Sequence, residues 1–257
     1  MIVGIIQART GSSRLPGKIL MKAAGKTLLE HMIERISNSK KLDKIVIATT
    51  TKKTDDVIVA IADKLKIGCF RGSEDDVLGR YYNASEKYNA DTVVRLCSDC
   101  PLLDGNVIDT VLEDYFAGGY DYVSNLVPLP RTYPDGLSVE VFSSELLAET
   151  QFNAKKPSER EHVTFYMWGQ PEKYKIHRTE YKTDLSKYRF NIDYHEDYLL
   201  LEKIFEHFYP KNKNFLFEDV IKWLEDNPEI FKLNSMVEPN LGWLKSLEED
   251  KKRGFSR

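Results

Sequence analysis

The sequence predicts an α/β domain with a mostly parallel sheet flanked by helices. Short, β-branched apolar runs alternate with amphipathic helical stretches through the first half of the chain. The runs are nearly uninterrupted, as strands buried on both faces should be. At 257 residues the chain suits one large α/β domain with a small appendage. A regular β-α-β rhythm requires parallel pairing, because each crossover helix returns the chain to the same side of the sheet.

Ile2–Ile6 opens the chain as a buried strand, and a Gly/Ser-rich loop follows it. Thr27–Ser37 then has Leu28, Leu29, Met32, Ile33 and Ile36 on one helical face. Lys44–Thr49 is a second strand, Asp55–Leu65 a second helix, and Cys69–Phe70 a short strand after Gly68. A helix over Glu74–Tyr88, a strand over Thr92–Leu96 and a helix over Asn106–Phe116 keep the rhythm, and Tyr120–Asn125 reads as another strand. After Leu126 the pattern changes. Pro128, Pro130 and Pro134 mark a loop, and Leu137–Phe142 alternates like a strand with one exposed face. Helices are expected at Ser144–Thr150 and Glu159–Trp168, strands at Tyr174–Arg178 and Arg189–Ile192, and helices at Asp197–Phe208 and Phe217–Glu225. The expected layout is a main domain over 1–228, with a distinct subregion at about 126–180, and a tail over 229–257 whose charged end is frayed.

Bulk properties exclude several classes. With 37 basic and 40 acidic residues the net charge is −3, which argues against general nucleic-acid binding. No apolar run approaches the roughly 18–20 residues that span a bilayer. The first twenty residues carry their charges after the apolar run and have no signal-peptide cleavage region, so a cytoplasmic protein is expected. Cys97-Ser-Asp-Cys100 has a two-residue gap, but no second pair accompanies it and the five histidines show no matching spacing, so reduced structural thiols are expected.

The loop after the first strand carries the chemistry. Gln7-Ala8-Arg9-Thr-Gly11-Ser12-Ser13-Arg14-Leu-Pro16-Gly17-Lys18 places three basic side chains on a Gly/Ser backbone whose N–H groups can turn toward an anion. It is neither the Gly-Lys-Ser/Thr loop of ATPases nor the dinucleotide glycine triplet. Pro16-Gly17 breaks any immediate helix and leaves Lys18 on an extended turn. A strand entering such a loop marks a polyphosphate site at the carboxyl edge of the sheet. Asp99, in Leu96-Cys-Ser-Asp99-Cys-Pro101, ends a strand at that same edge, where it can hold Mg2+ or cap a turn. Asp104 reads as the N-cap of the next helix.

The order Arg9-Thr-Gly-Ser-Ser-Arg14-Leu-Pro-Gly-Lys18 resembles the signature loop of sugar-activating nucleotidyltransferases, above all the cytidylyltransferases that make CMP-linked acidic sugars. With Gln7 in front it is most similar to the SpsF-like branch. The resemblance implies a Rossmann-like, GT-A-like nucleotidyltransferase fold with a small inserted dimerisation or acceptor subregion. It also implies a homodimer, with the Pro-rich stretch after Leu126 as its arm. The implied reaction is attack by an acceptor oxygen on the α-phosphate of CTP, releasing pyrophosphate, in polysaccharide or glycan biosynthesis. Ala8, Gly11, Ser12 and Ser13 would contact the nucleotide, and Arg9, Arg14 and Lys18 would hold its phosphates. Asp99 matches the family's metal aspartate. Asp193, in Arg189-Phe-Asn-Ile-Asp193, would complete the Mg2+ site or cap the helix after it. Arg71 looks like the family arginine near the base and Arg80 like another position facing the nucleotide, although each could pair with nearby carboxylates.

At the acceptor end, Arg131-Thr-Tyr133-Pro-Asp135-Gly136-Leu-Ser138-Val-Glu140 resembles the SpsF-like motif of a carboxylate-bearing strand after a Pro-Gly loop. Alternation puts Ser138 and Glu140 on one strand face, and relatives often have Asp where this chain has Ser138. Tyr133, Asp135 and Glu140 are the acceptor candidates from this segment. Arg160, Glu161 and His162 open a helix in the manner of the same branch and are candidates too. Rival readings are a GTP- or UTP-dependent transferase acting on a sugar-1-phosphate, a non-catalytic nucleotide-sugar binding protein, and a glycosyltransferase of similar architecture.

Overall fold

Local chemistry starts and stops the elements of the first half. The computed structural model describes residues 1–237 and 242–255. Strand β1 (Ile2–Gln7) runs into the basic loop, a 3-10 turn at Lys18–Leu20, and a small ribbon of β2 (Lys22–Ala23) and β3 (Lys26–Thr27). Thr27 and Glu30 then form a capping box that starts α1 (Leu28–Ile36). Next come β4 (Lys44–Thr50), α2 (Asp56–Leu65), β5 (Gly68–Gly72) and α3 (Val77–Lys87), the last capped by Asp76. The alternating half ends with β6 (Thr92–Cys97) and α4 (Gly105–Gly118). Asp104 is the N-cap of α4, accepting from Asn106 N and Val107 N.

The second half contains β7 (Tyr122–Ser124), β8 (Glu140–Ser143), α5 (Ser144–Asn153), α6 (Pro157–His162), α7 (Phe165–Trp168) and β9 (Ile176–Arg178). Helices α8 (His195–Phe208), α9 (Phe217–Asp226), α10 (Pro228–Phe231) and α11 (Gly242–Lys252) follow. No helix among the described residues is long and apolar enough to cross a membrane.

Among the described residues the main sheet has seven strands in the order β5-β4-β1-β6-β8-β7-β9. Only β8 runs against its neighbours, pairing antiparallel with β6 and β7. The other ladders are parallel. This is the mostly parallel α/β architecture the sequence predicts. Strand order reverses between β1 and β6, so the loops leaving those two strands diverge and open a crevice at the carboxyl edge. Because β8 is reversed, its beginning lies at the same edge. Alternation along β1 divides the core: Val3 and Ile5 pack with Val46, Ala48 and Tyr81 on one face of the sheet. Ile6 packs with Ile47, Val94 and Leu96 on the other.

The second half departs from the expected elements for physical reasons. The helix expected over Glu159–Trp168 is broken into α6 and α7 at Val163, which has φ 61° and ψ −56°. There Thr164 N donates to His162 O at 2.6 Å, closing a tight γ-turn of the strained hand. Strand β8 starts at Glu140, not Leu137. The Asn125 side chain replaces a strand partner for the residues before it, donating to Leu137 O (2.7 Å) and accepting from Val139 N (2.8 Å). Arg189–Ile192 is extended but joins no ladder. Its partners are loops: Phe190 N donates to Asp135 O (2.7 Å) and Ile192 N to Asp99 O (2.9 Å), with one parallel bridge between Asp135 and Arg189. Lys18 opens a 3-10 turn after Gly17, which sits at φ 70°, so it does not lie on an extended turn. The charged end expected to fray is helical to Lys252, while residues 238–241 and 256–257 of the tail lie outside the described residues.

The contact between segments 135–136 and 189–191 needs a glycine. Gly136 has φ 92°, and a Cβ there would lie 2.2 Å from Asn191 N and 2.4 Å from Phe190 C. Both neighbours are backbone and have nowhere to go. Gly136→Ala should therefore destabilise the fold by at least about 2 kcal/mol. Chemical denaturation would check this, and a loss under about 0.5 kcal/mol would contradict the close approach.

Candidate active site

The basic loop is held by a buried carboxylate. Asp55 Oδ1 accepts from Thr10 N (2.8 Å) and Thr10 Oγ1 (2.6 Å), while its other oxygen accepts from the Thr50 hydroxyl. Burial pushes Asp55 up, but the hydrogen bonds from Thr10 and Thr50 outweigh it and hold the carboxyl below its usual range. Thr10 O accepts in turn from Ser12 N and Gly17 N, both at 3.0 Å, so the loop closes on itself. Lys18 is thereby delivered beneath the ends of β1 and β6.

There the Lys18 ammonium donates to Asp99 Oδ2 (3.2 Å), Asp193 Oδ1 (2.9 Å) and Ile192 O (2.6 Å). Arg14 Nη2 donates to the same Asp193 oxygen at 2.6 Å. Burial pulls the Lys18 pKa down, yet Asp99 and Asp193 together hold it above the ordinary lysine value. Asp193 shows the reciprocal effect: burial raises it, and Lys18 and Arg14 bring it below the carboxylate range. Asp193 does not cap α8. The Asp197 carboxylate does, accepting from Asp193 N (2.9 Å) and Tyr194 N (3.0 Å). Arg189 braces the group through Asp197 (2.8 and 3.0 Å), Asp135 (3.3 Å) and Asp193 (3.5 Å).

Two cavities meet at this point. The larger, of about 550 Å³, falls in the size range of small-molecule sites. It is lined by Gln7, Ala8, Arg9, Gly11, Ser12, Ser13, Arg14, Lys18, Arg80, Ser98, Asp99, Glu161 and His162, together with residues of α11. The smaller, of about 190 Å³, has an apolar side of Leu126, Val127, Leu129, Phe165 and Trp168 and a polar side that includes Arg95, Arg131, Asp135, Ser138, Glu140 and Asn191. Asp99 and His162 line both. The Pro-rich stretch after Leu126 thus forms part of a cavity wall.

The structure gathers most of the sequence candidates into these cavities and leaves four outside their linings: Asp193, which meets the site through Lys18 and Arg14, and Arg71, Arg160 and Tyr133. Arg71 donates to Thr50 O (2.8 Å), Lys52 O (2.7 Å) and Asp56 (2.6 Å), and so braces the turn that carries Asp55. Arg160 forks onto Asp76, the cap of α3, at 2.6–3.0 Å, and ties α6 to α3. Tyr133 is buried against Tyr181 and Phe217. Arg80 does reach the larger cavity; it is buried and held by the carbonyls of Ser73 and Glu74. Glu140 is committed inside the protein, accepting from Arg95, from Tyr122 OH (2.5 Å) and from Thr164 Oγ1 (2.6 Å). Burial lifts Asp135 above the usual carboxylate range against the pull of Arg131 and Arg189.

Sequence reasoning missed Arg95, Arg189 and Asp55. A charge inside an apolar strand, as in Thr92-Val-Val-Arg95-Leu, signals a buried partner, and that partner is Glu140. The three cysteines are free thiols; Cys97 and Cys100 line the smaller cavity, where burial pushes both thiols up. Among the described residues no group of three or more His, Cys, Asp or Glu could hold a metal ion. The two carboxylates converging on one ammonium form a smaller donor set, and it fits a magnesium ion that draws its remaining ligands from water and phosphate.

Burial pushes His162 down to about 4 against the opposing effect of Glu161. In the unfolded chain a histidine titrates near 6.5. Between about pH 6.5 and 4 the unfolded state therefore binds the additional proton, and stability falls as pH drops through that window. His162→Gln should flatten this acid limb in denaturation curves, and an unaltered limb would mean that the folded imidazole protonates as easily as the unfolded one.

A family model described as Cytidylyltransferase matches residues 3–227. The chain is similar to an uncharacterised protein of Methanocaldococcus jannaschii, 41% identical over 92% of this chain and 95% of that one. It is similar to the spore coat polysaccharide biosynthesis protein SpsF of Bacillus subtilis, 34% identical over 80% and 86% of the two chains. It also resembles the solved structure of a cytidylyltransferase from Leptospira borgpetersenii, with a TM-score of 0.84 and 36% identity over 90% of this chain and 96% of that one.

Proposed function

The chain belongs to the cytidylyltransferase family, and from that premise we propose that it joins CMP, drawn from CTP, to an oxygen of a sugar-like acceptor in surface polysaccharide or glycan biosynthesis. The acceptor oxygen forms a bond to the α-phosphorus and gives up its proton to water, the bond from the α-phosphorus to the bridging oxygen breaks, and pyrophosphate leaves. The observation that carries this reading is the junction of the two cavities, where Lys18 and Arg14 meet Asp193 and Lys18 also meets Asp99. A triphosphate in the larger cavity and an acceptor in the smaller would bring their reacting atoms together there.

Arg9, Arg14 and Lys18 bind the β- and γ-phosphates and stabilise the charge of the departing pyrophosphate. At about 4 Å and an effective dielectric near 20, each such pair interacts by about 4 kcal/mol, so the loop cations dominate triphosphate affinity. Asp99 and Asp193 would hold Mg2+, which when bound supplies Lewis-acid polarisation of a phosphate oxygen. The apolar side of the smaller cavity excludes water from the acceptor. Gln7 is held by the backbone through Tyr81 OH (3.2 Å) and by its side chain through Arg95 Nη2 (3.2 Å), which fixes the floor between the two cavities.

The test is a thermal-shift series of CTP, UTP, GTP and ATP with Mg2+, followed by pyrophosphate release with a panel of acidic sugars. A ligand at about 100 times its dissociation constant adds about 2.7 kcal/mol, enough to read clearly. Selective stabilisation by CTP is expected; preference for another triphosphate would overturn the base assignment. Asp99→Asn should cut kcat by at least about a hundredfold while retaining part of the CTP affinity. Arg14→Ala should instead raise the KM for CTP by about tenfold, the loss of one charge-assisted contact. Full turnover by Asp99→Asn would remove Asp99 from the reaction, and an unchanged KM in Arg14→Ala would remove that side chain from the triphosphate site.

A further inference from the structure

Helix α11 lies beyond the residues matched by the family, 3–227, yet Lys245, Ser246 and Glu249 on it line the larger cavity together with Arg14 and Lys18. The helix is fixed in place. Asp250, 3% exposed, accepts from Ser158 N at 3.2 Å and from the Ser158 hydroxyl. One turn earlier the Ser246 hydroxyl donates to Glu161 (3.0 Å) and meets His162 Nε2 at 2.8 Å. A buried carboxylate left without partners is costly, so the bonds from Ser158 to Asp250 hold α11 against α6.

The cation that α11 brings differs from the others. Arg9 pairs with Glu74, Arg14 and Lys18 with the aspartates, and Arg80 with carbonyl oxygens. Lys245 is exposed on the cavity wall and makes no ion pair among the described residues. It gives the cavity five basic side chains against three carboxylates. We propose that α11 is part of the nucleotide site of this chain and that Lys245 binds a phosphate oxygen of the bound triphosphate. This inference rests on the reading of the larger cavity as a triphosphate site.

The experiment is titration of the full-length protein and its variants with CTP and Mg2+, read as a dissociation constant, with KM and kcat from pyrophosphate release. Lys245→Ala should weaken CTP binding about tenfold and raise KM by the same factor, leaving kcat nearly unchanged. Lys245→Arg, which keeps the charge, should recover most of the affinity. Lys251→Ala, on an exposed position of the same helix outside the cavity, should bind like the parent. Asp250→Ala, which removes the anchor, should weaken CTP at least as much as Lys245→Ala. Parent-like affinity in both Lys245→Ala and Asp250→Ala would overturn the role of α11 while leaving the triphosphate site standing. Absence of triphosphate binding by the parent protein would overturn the cavity reading itself, and this inference with it.

Discussion

The Lys18 ammonium draws the Asp99 and Asp193 carboxylates and the Ile192 carbonyl onto one point, and these groups come from three distant stretches of the chain. None of them reaches that point by local preference. The loop after β1 delivers Lys18 only because Asp55 fixes Thr10. Asp193 stands where it does because Ile192 N reaches Asp99 O and the Asp197 carboxylate holds the turn into α8. Removing Lys18 would deprive the buried Asp193 carboxylate of a partner, which costs more than the net worth of an exposed pair, while Asp99, 34% exposed, would be left to solvent. The arrangement therefore behaves as a unit at the junction of the two cavities.

A buried charge pair plays the same part beside the smaller cavity. Glu140 begins the one reversed strand and meets Arg95, which lies opposite it in the β6–β8 ladder. Thr164 reaches the same carboxylate across the γ-turn at Val163. A β-branched residue at φ 61° is a strained conformation that survives only where its surroundings over-determine it. Here the Thr164 hydroxyl on Glu140 and the His162 ring stacked on Phe165 fix the two neighbours of Val163. The strain coincides with two residues that line the smaller cavity.

What the sequence disclosed and what it hid follow from the range of the interactions. Strand β1, its loop and the strand-ending Asp99 were legible because each is encoded in a few consecutive residues: an apolar run, Gly and Ser with fixed cations, an Asp before Pro101. The cap Asp104 was legible for the same reason. Arg71 and Arg160 were hidden because a local pattern shows a charge and not its partner, and those partners proved to be backbone carbonyls, Asp56 and a helix cap. Tyr133 reads alike as a substrate contact or as core, since a phenol suits both. Arg189–Ile192 reads as a strand because extended backbone has the same composition whether a neighbouring strand or two loops satisfy it. The break at Val163 was illegible for a stronger reason. Valine is a poor residue for a positive φ, so the turn exists against local preference and only tertiary contacts reveal it.

Sharing of Asp99 and His162 by the two cavities has a consequence for how errors spread. Proximity of two reactants removes a large part of a transfer barrier, and a displacement of about 1 Å can cost a hundredfold in rate. Here a shift of Asp99 moves the ammonium of Lys18 and, through Ile192, the extended segment that carries Asn191 beside the smaller cavity. A shift of His162 moves Thr164 and so the Glu140–Arg95 pair on one side, and Ser246 on the other. Neither wall can shift without disturbing the opposite one, so the rigidity of this junction belongs to the site as much as its charge does.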